Sequence, residues 1–193
     1  MAYTPHPTVV PGDTWTASNQ NTYIKGNLEA IWVGTTGGDM DYYTSSTVKN
    51  RLAIGANGTH LESNGSAPIW APTYAIKSGL LNLDVALQVG DDADRFRIPS
   101  PINGWNVVAV ALFRQSGTGV PNVQIRNVNT AVNVLSTALS IDSGETDSST
   151  AATPAVINLA NDNVSTGQQI AIDVDVAGTS TLRCGYEILF QKP

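Results

Sequence analysis

The chain has 193 residues, 41% of them hydrophobic and only 13% charged, with a net charge of −6. That length suits one medium domain, or one domain with an N-terminal attachment. From Asn127 onward seven acids stand against two bases, leaving −5 on the C-terminal part, which would repel a phosphate backbone and sets nucleic-acid binding aside. Cys184 is the only cysteine, so neither an intrachain disulfide nor a Cys-based zinc site can form within one chain.

Ser, Thr, Asn and Gly stand where Lys and Glu usually sit. Such a surface suits polar-faced β-sheets that pack against other subunits. No apolar run reaches the length of a membrane span, and no charged-then-apolar leader opens the sequence. Membrane insertion is therefore not expected, and synthesis in the cytosol is. The sequons at Asn57, Asn64 and Asn163 are read as chance in an Asn-rich chain.

Residues 2–12 contain Pro5, Pro7 and Pro11, which predicts an extended arm ending in a Pro11-Gly12 turn. A short helix follows. Thr16 or Ser18 can cap it, and Ile24, Leu28, Ile31 and Trp32 share one face. Gly26 weakens it by about 1 kcal/mol relative to Ala. So short a helix needs a surface to pack on, either the chain's own β domain, its copies or another partner.

Residues 33–71 read as short strands and turns. Asn57-Gly58 and Asn64-Gly65 are tight-turn signals around a short extended segment, Thr59 to Ser63. From about Ala75 the pattern is β throughout. Leu81, Leu83, Val85, Leu87 and Val89 alternate with polar or small residues, predicting a strand with one face buried. Phe96 and Ile98 predict a short strand. Trp105 to Phe113 is nearly all apolar, predicting a central strand buried on both faces. Val123 and Ile125, with Asn127 as a third candidate, line another strand, and Val134 to Ile141 another. Ile170, Ile172, Val174 and Val176 alternate with Ala171, Asp173 and Asp175. Leu182, Cys184, Tyr186, Ile188 and Phe190 alternate to the end. The expectation is a mainly β protein: an antiparallel jelly-roll-type β-sandwich over 75–193, preceded by an arm and short helix (1–32) and a Gly/Thr/Ser-rich β spacer (33–74).

Chemistry-bearing residues are sparse. His6 lies between prolines and His60 in a turn-rich stretch, neither within a nucleophile–base pattern. Glycan cleavage needs two positioned carboxylates. Candidates are Asp91, Asp92 and Asp94, then Asp142, Glu145 and Asp147, then Asp173 and Asp175. The first two groups read as turn residues bonding their own backbone, and the third as the outward parity of a strand. Asp39 with Asp41, and the Asp91–Asp94 run, supply oxygen ligands but lack the twelve-residue calcium loop. The chain is therefore read as non-enzymatic, with neither cofactor nor metal expected. Of the four tryptophans, Trp105 is expected in the core, Trp70 against the spacer, and Trp15 and Trp32 flanking the helix.

Gly34-Thr35-Thr36, Gly38-Asp39, Tyr42, Arg51-Leu52, Ile54-Gly55, Gly58 and Trp70-Ala71 follow one another in order. This resembles a segment of tailed-bacteriophage structural proteins, fibre proteins above all, reading GTT-x-GD-x-x-Y, then RL-x-IG-x-x-G, then Trp-Ala. It spans about a fifth of the chain. A second resemblance covers roughly the C-terminal half. Arg97-Ile98-Pro99-Ser100, Asn103-Gly104, Leu135-Ser136-Thr137, Ile141 to Thr146 and Ala177-Gly178-Thr179 look like a domain common at the end of small phage structural proteins. The usual Gly-Asp before the IAIDVDV strand is Gly167-Gln168 here. Asn21-Thr22-Tyr23-Ile24 also recurs near the start of such proteins.

The resemblance implies a virion surface protein: a trimeric fibre or spike that contacts the host, or alternatively a capsid decoration protein stabilising the head. A glycan-cleaving tail enzyme is the remote alternative. The implied partners are further copies of itself, other capsid or tail proteins, and a host surface glycan or protein. Docking and oligomer contacts are expected at Ile24, Leu28, Ile31 and Trp32 of the helix and at Leu52, Ile54 and Trp70 of the spacer.

Overall fold

The computed structural model describes residues 12, 14–25, 28, 36–46 and 48–193. Residues 1–11 of the arm, Ile31 and Trp32 lie outside them. The chain divides into two compact units, Met1–Ala71 and Pro72–Pro193.

In the first unit Thr16 caps a helical segment, its Oγ1 accepting from the Asn19 amide at 3.2 Å. One α-turn, Ala17–Asn19, runs into a π-helical stretch, Gln20–Lys25. Four short strands follow: β1 (Met40–Tyr43), β2 (Lys49–Leu52), β3 (Thr59–Ser63) and β4 (Pro68–Pro72). They pair as two antiparallel hairpins, β1–β2 and β3–β4. Both Asn-Gly signals sit at turns, with Gly58 and Gly65 at φ +88° and +86°, the left-handed backbone that glycine adopts without penalty.

The second unit is an antiparallel β-sandwich. Its strands are β5 (Tyr74–Leu80), β6 (Gly90–Arg97), β7 (Trp105–Phe113), β8 (Ser116–Thr118), β9 (Asn122–Asn127), β10 (Val132–Asn133), β11 (Leu135–Thr137), β12 (Leu139–Ser140), β13 (Val156–Ile157), β14 (Asn163–Val164), β15 (Gln169–Val176), β16 (Thr179–Leu182) and β17 (Gly185–Gln191). One sheet runs β5-β17-β7-β14, and the other β6-β15-β9-β10 with β12 also on β9. The first strands, β5, β6 and β7, fall in alternate sheets. The late strands β15 and β17 then slot in beside them as the centre of each sheet. That is jelly-roll wiring.

The inward residues expected at 170–174 and 186–190 are buried, but on β15 Ala171 and Asp173 of the other parity are buried as well and Val176, expected inward, is 49% exposed. Ile170, Ile172 and Val174 from one sheet meet Tyr186, Ile188 and Phe190 from the other. They form one core with Val107, Leu112, Val123, Ile125 and Trp105. Asn127 closes β9: its Oδ1 accepts from the Asn129 amide at 3.1 Å and turns the chain toward β10.

Three sequence expectations are corrected. Leu81–Val89 is not a strand. The strand lies just before it, at β5, and of the alternating set only Leu87 is fully buried while Leu83, Val85 and Val89 are exposed. Asn82 is the cause. Its Nδ2 donates to the carbonyls of Val85 (2.6 Å) and Thr181 (2.7 Å), and its Oδ1 accepts from the Cys184 amide (2.7 Å). A side chain thus replaces the ladder partners and bends the backbone out of register. Trp105–Phe113 is a strand, but Val108 and Ala109 face outward and are exposed. The segment Val134–Ile141 is broken among β11, β12 and their flanks, although Val134, Leu135, Leu139 and Ile141 are all buried.

A buried arginine fixes the loops at one end. Arg114 donates to three backbone carbonyls: Glu145 at 2.8 Å, Asp142 at 2.9 Å and Gly119 at 3.2 Å. The carboxylates of that loop serve the same local order. Asp142 accepts from the Ala152 amide, Glu145 from the Thr150 hydroxyl and Asp147 from the Ser149 amide.

Candidate assembly surfaces

In the first unit, the residues of the Gly-rich pattern converge on two centres. Asp39 is one. Its Oδ2 accepts from the Thr36 amide at 2.9 Å, its Oδ1 from the Ile54 amide at 3.1 Å, and Arg51 lies 3.5 Å away. Only 2% of this carboxylate side chain is exposed, so its lone pairs are occupied by the module itself. Gly38, at φ +92°, lies under Ile54: a Cβ there would fall 2.6 Å from Ile54 Cδ1. Trp70 is the other centre. Its Nε1 donates to the Ala53 carbonyl at 2.7 Å, and its ring lies on Gly55, where an added Cβ would also come 2.7 Å from Thr59 Oγ1. The indole can pack so closely only on a glycine.

The expected contact residues are thus placed as follows. Leu52 and Trp70 are half-buried, and Ile54 is 60% exposed. The three are neighbours, because the carbonyl that Trp70 grips lies between Leu52 and Ile54. Ile24 and Leu28 are exposed. Ile31 and Trp32 lie outside the described residues.

The two outer faces of the sandwich differ in chemistry. On the β6-β15-β9 sheet, Asp173 is buried, against the sequence expectation of a solvated outward carboxylate. Arg126 donates to it twice, Nε to Oδ2 at 2.6 Å and Nη2 to Oδ1 at 3.0 Å, and the Asp92 amide donates to Oδ1 at 2.8 Å. Arg126 also lies 3.7 Å from Asp92, Arg95 pairs directly with Asp92, and Arg95 reaches Gln169 Oε1 at 2.9 Å. Asp91, Asp92 and Asp94 stand on β6 and not in a turn, which is a further correction.

Burial pushes the Asp173 carboxyl up. The hydrogen bonds from Arg126 and the Asp92 amide, with the charges of Arg126 and Arg95, outweigh it and hold the group below its ordinary value. Asp175 is pushed the other way, by burial and by the charges of Asp173 and Asp91. Among the described residues, no group of three or more His, Cys, Asp or Glu is placed to hold a metal ion.

The outer face of the other sheet is apolar. Register aligns Ile76 of β5, Leu189 of β17 and Ala109 of β7 in one row across three strands. Glu187, aligned with Ser78 and Ala111, is the charge beside it. Ile76 is 71% exposed. Sequence reasoning missed this face because an outward apolar residue and an inward one look alike within a continuous apolar run. The signal was the filled parity at Val108. The Arg126–Asp173 pair joins residues far apart in sequence and left no local signal. In comparisons with known proteins, no family model, no curated protein and no solved structure matched the chain.

Proposed function

We propose that the chain is a non-enzymatic structural protein of a tailed-phage particle, a homotrimeric surface projection of fibre or spike type. Residues 1–32 attach it, the Gly-rich unit acts as a spacer, and the jelly roll projects toward a host glycan or protein. The observation that carries this reading is the convergence around Asp39 and Trp70. The positions shared with phage fibre segments (Gly38-Asp39, Arg51, Ile54-Gly55, Trp70) are those that hold the unit together. The pattern is thus a folding unit and not a chance run of glycines. The apolar outer row of the jelly roll is further support, since contiguous exposed apolar surface marks interaction sites.

The test is immunogold labelling of intact particles with antibody raised against the recombinant chain. Gold at tail or fibre positions supports the proposal. Gold spread over the head redirects it to capsid decoration. Bare particles, with the protein found only in the soluble fraction of the lysate, overturn it.

A further inference from the structure

The edge strands β5 and β6 end their two sheets and are protected differently. An unpaired edge is a template for another chain, and proteins blunt it with charges or kinks. Strand β6 is blunted in both ways. It carries Asp91, Asp92, Asp94 and Arg95, Asp92 has a φ of +57°, and its register breaks opposite Ile172–Val174. Strand β5 is not. Among the described residues it has no hydrogen-bonded neighbour on its far side. Its single charge, Lys77, is half-buried, its Nζ 5.4 Å from the Phe96 ring centroid and 5.7 Å from that of Tyr186.

Large apolar residues stand exposed along β5 and the loop leaving it: Tyr74, Ile76 and Leu80, then Leu83, Val85 and Val89, each between 49% and 74% exposed, with Ser78, Asp84, Ala86 and Gln88 exposed among them. Exposed apolar side chains in such number along an unpaired edge mark an interaction site. The only other charge in the ribbon, Asp84, is answered by Arg183 at 3.3 Å. Copies of a chain of net charge −6 repel one another in general, and this ribbon is a surface on which they can meet without facing like charges.

We propose that copies of this chain associate through the ribbon Tyr74–Val89, the β5 edge and the loop that follows it. The proposal rests on the reading above that the chain self-associates. Sedimentation velocity of the full chain at micromolar concentration tests it, comparing wild type with the double variant Ile76→Glu/Val85→Glu. The wild type should sediment as a multiple of 20.3 kDa, and the variant at 20.3 kDa with an unchanged far-ultraviolet circular dichroism spectrum. A variant that keeps the wild-type mass overturns this surface while leaving self-association standing. A wild type that is itself monomeric overturns both, including where the ribbon binds a different particle protein. If the variant misfolds, hydrogen exchange on the wild type decides. Amides in 74–89 should lose protection on dilution in step with the loss of mass, and protection indifferent to dilution overturns the proposal.

Discussion

Asp173 accepts two hydrogen bonds from Arg126, which stands on the adjacent strand opposite Ala171, two positions away. A third comes from the Asp92 amide. The carboxylate is 6% exposed while the guanidinium is 26% exposed, so the acid depends on the pair more than the base does. Replacing Asp173 with Asn removes the charge and leaves Arg126 facing a group with one acceptor oxygen. The expected loss is about 2 kcal/mol at neutral pH, read from urea unfolding. A midpoint unchanged from wild type would mean that the network contributes nothing net.

The same site gives a pH dependence of definite sign. Asp173 titrates lower in the fold than in the unfolded chain. Its contribution is therefore complete above the unfolded value, about 3.9 for an unperturbed Asp, and is lost as pH falls through the folded value. Asp175 titrates higher in the fold, so ionising it costs stability at neutral pH, and that cost disappears as pH falls. Asp175→Asn should stabilise the protein at pH 7, and Asp173→Asn should destabilise it. The gap between wild type and Asp173→Asn should narrow below about pH 4. Urea midpoints measured across that range check both signs.

The legible and illegible parts of this sequence differ for physical reasons. Tyr186 to Phe190 could be read because the strand is central with the core on one side, so parity decides burial; at Ile170 to Val174 parity named the core residues, but Ala171 and Asp173 of the other parity are buried too. Leu81 to Val89 shows the same parity, but Asn82 intercepts the ladder through contacts with Thr181 and Cys184, far along the chain. Val108 and Ala109 were misread because parity cannot say whether a second apolar face meets a layer or water. The Gly-rich pattern was legible as a pattern. That Asp39 and Trp70 are its centres was not, since their bonds go to Ile54 and Ala53, each more than a dozen residues away.

Gly55 tests the spacer. An added methyl would overlap the Trp70 ring and come 2.7 Å from Thr59 Oγ1. The indole must then leave, taking with it the 2.7 Å bond to the Ala53 carbonyl. Gly55→Ala is expected to cost about 1–3 kcal/mol of local stability and to red-shift tryptophan emission, with the jelly roll unaffected. An unchanged spectrum and melting profile would show that the contact is loose.

Arg114 is held by three carbonyls that span the turn after β7 and the 142–145 loop. Lysine keeps the charge but offers one nitrogen in place of a planar fork, so it cannot reach all three. Arg114→Lys should lose roughly 2–3 kcal/mol, the scale of losing charge-assisted bonds while leaving carbonyls buried. Exchange should rise first at the amides of 142–147. Full retention of stability by the lysine variant would show that charge alone, and not the fork, holds these loops.

Cys184 reports on global opening. Its side chain is fully buried in the core beside Tyr186 and Ile188. Burial pushes its thiol up to about 11, against a smaller opposing pull from Arg114. Inaccessibility and the raised value both keep the thiolate, the form that attacks disulfide reagents, from acting in the folded protein. Native protein should therefore react with 5,5′-dithiobis(2-nitrobenzoate) at pH 8 only through opened molecules, and the rate should climb with urea in parallel with the unfolded fraction. Arg114→Lys, by lowering stability, should speed labelling by the factor its urea midpoint predicts. Stoichiometric labelling of the folded wild type within seconds would mean that the link between β16 and β17 opens locally without global unfolding.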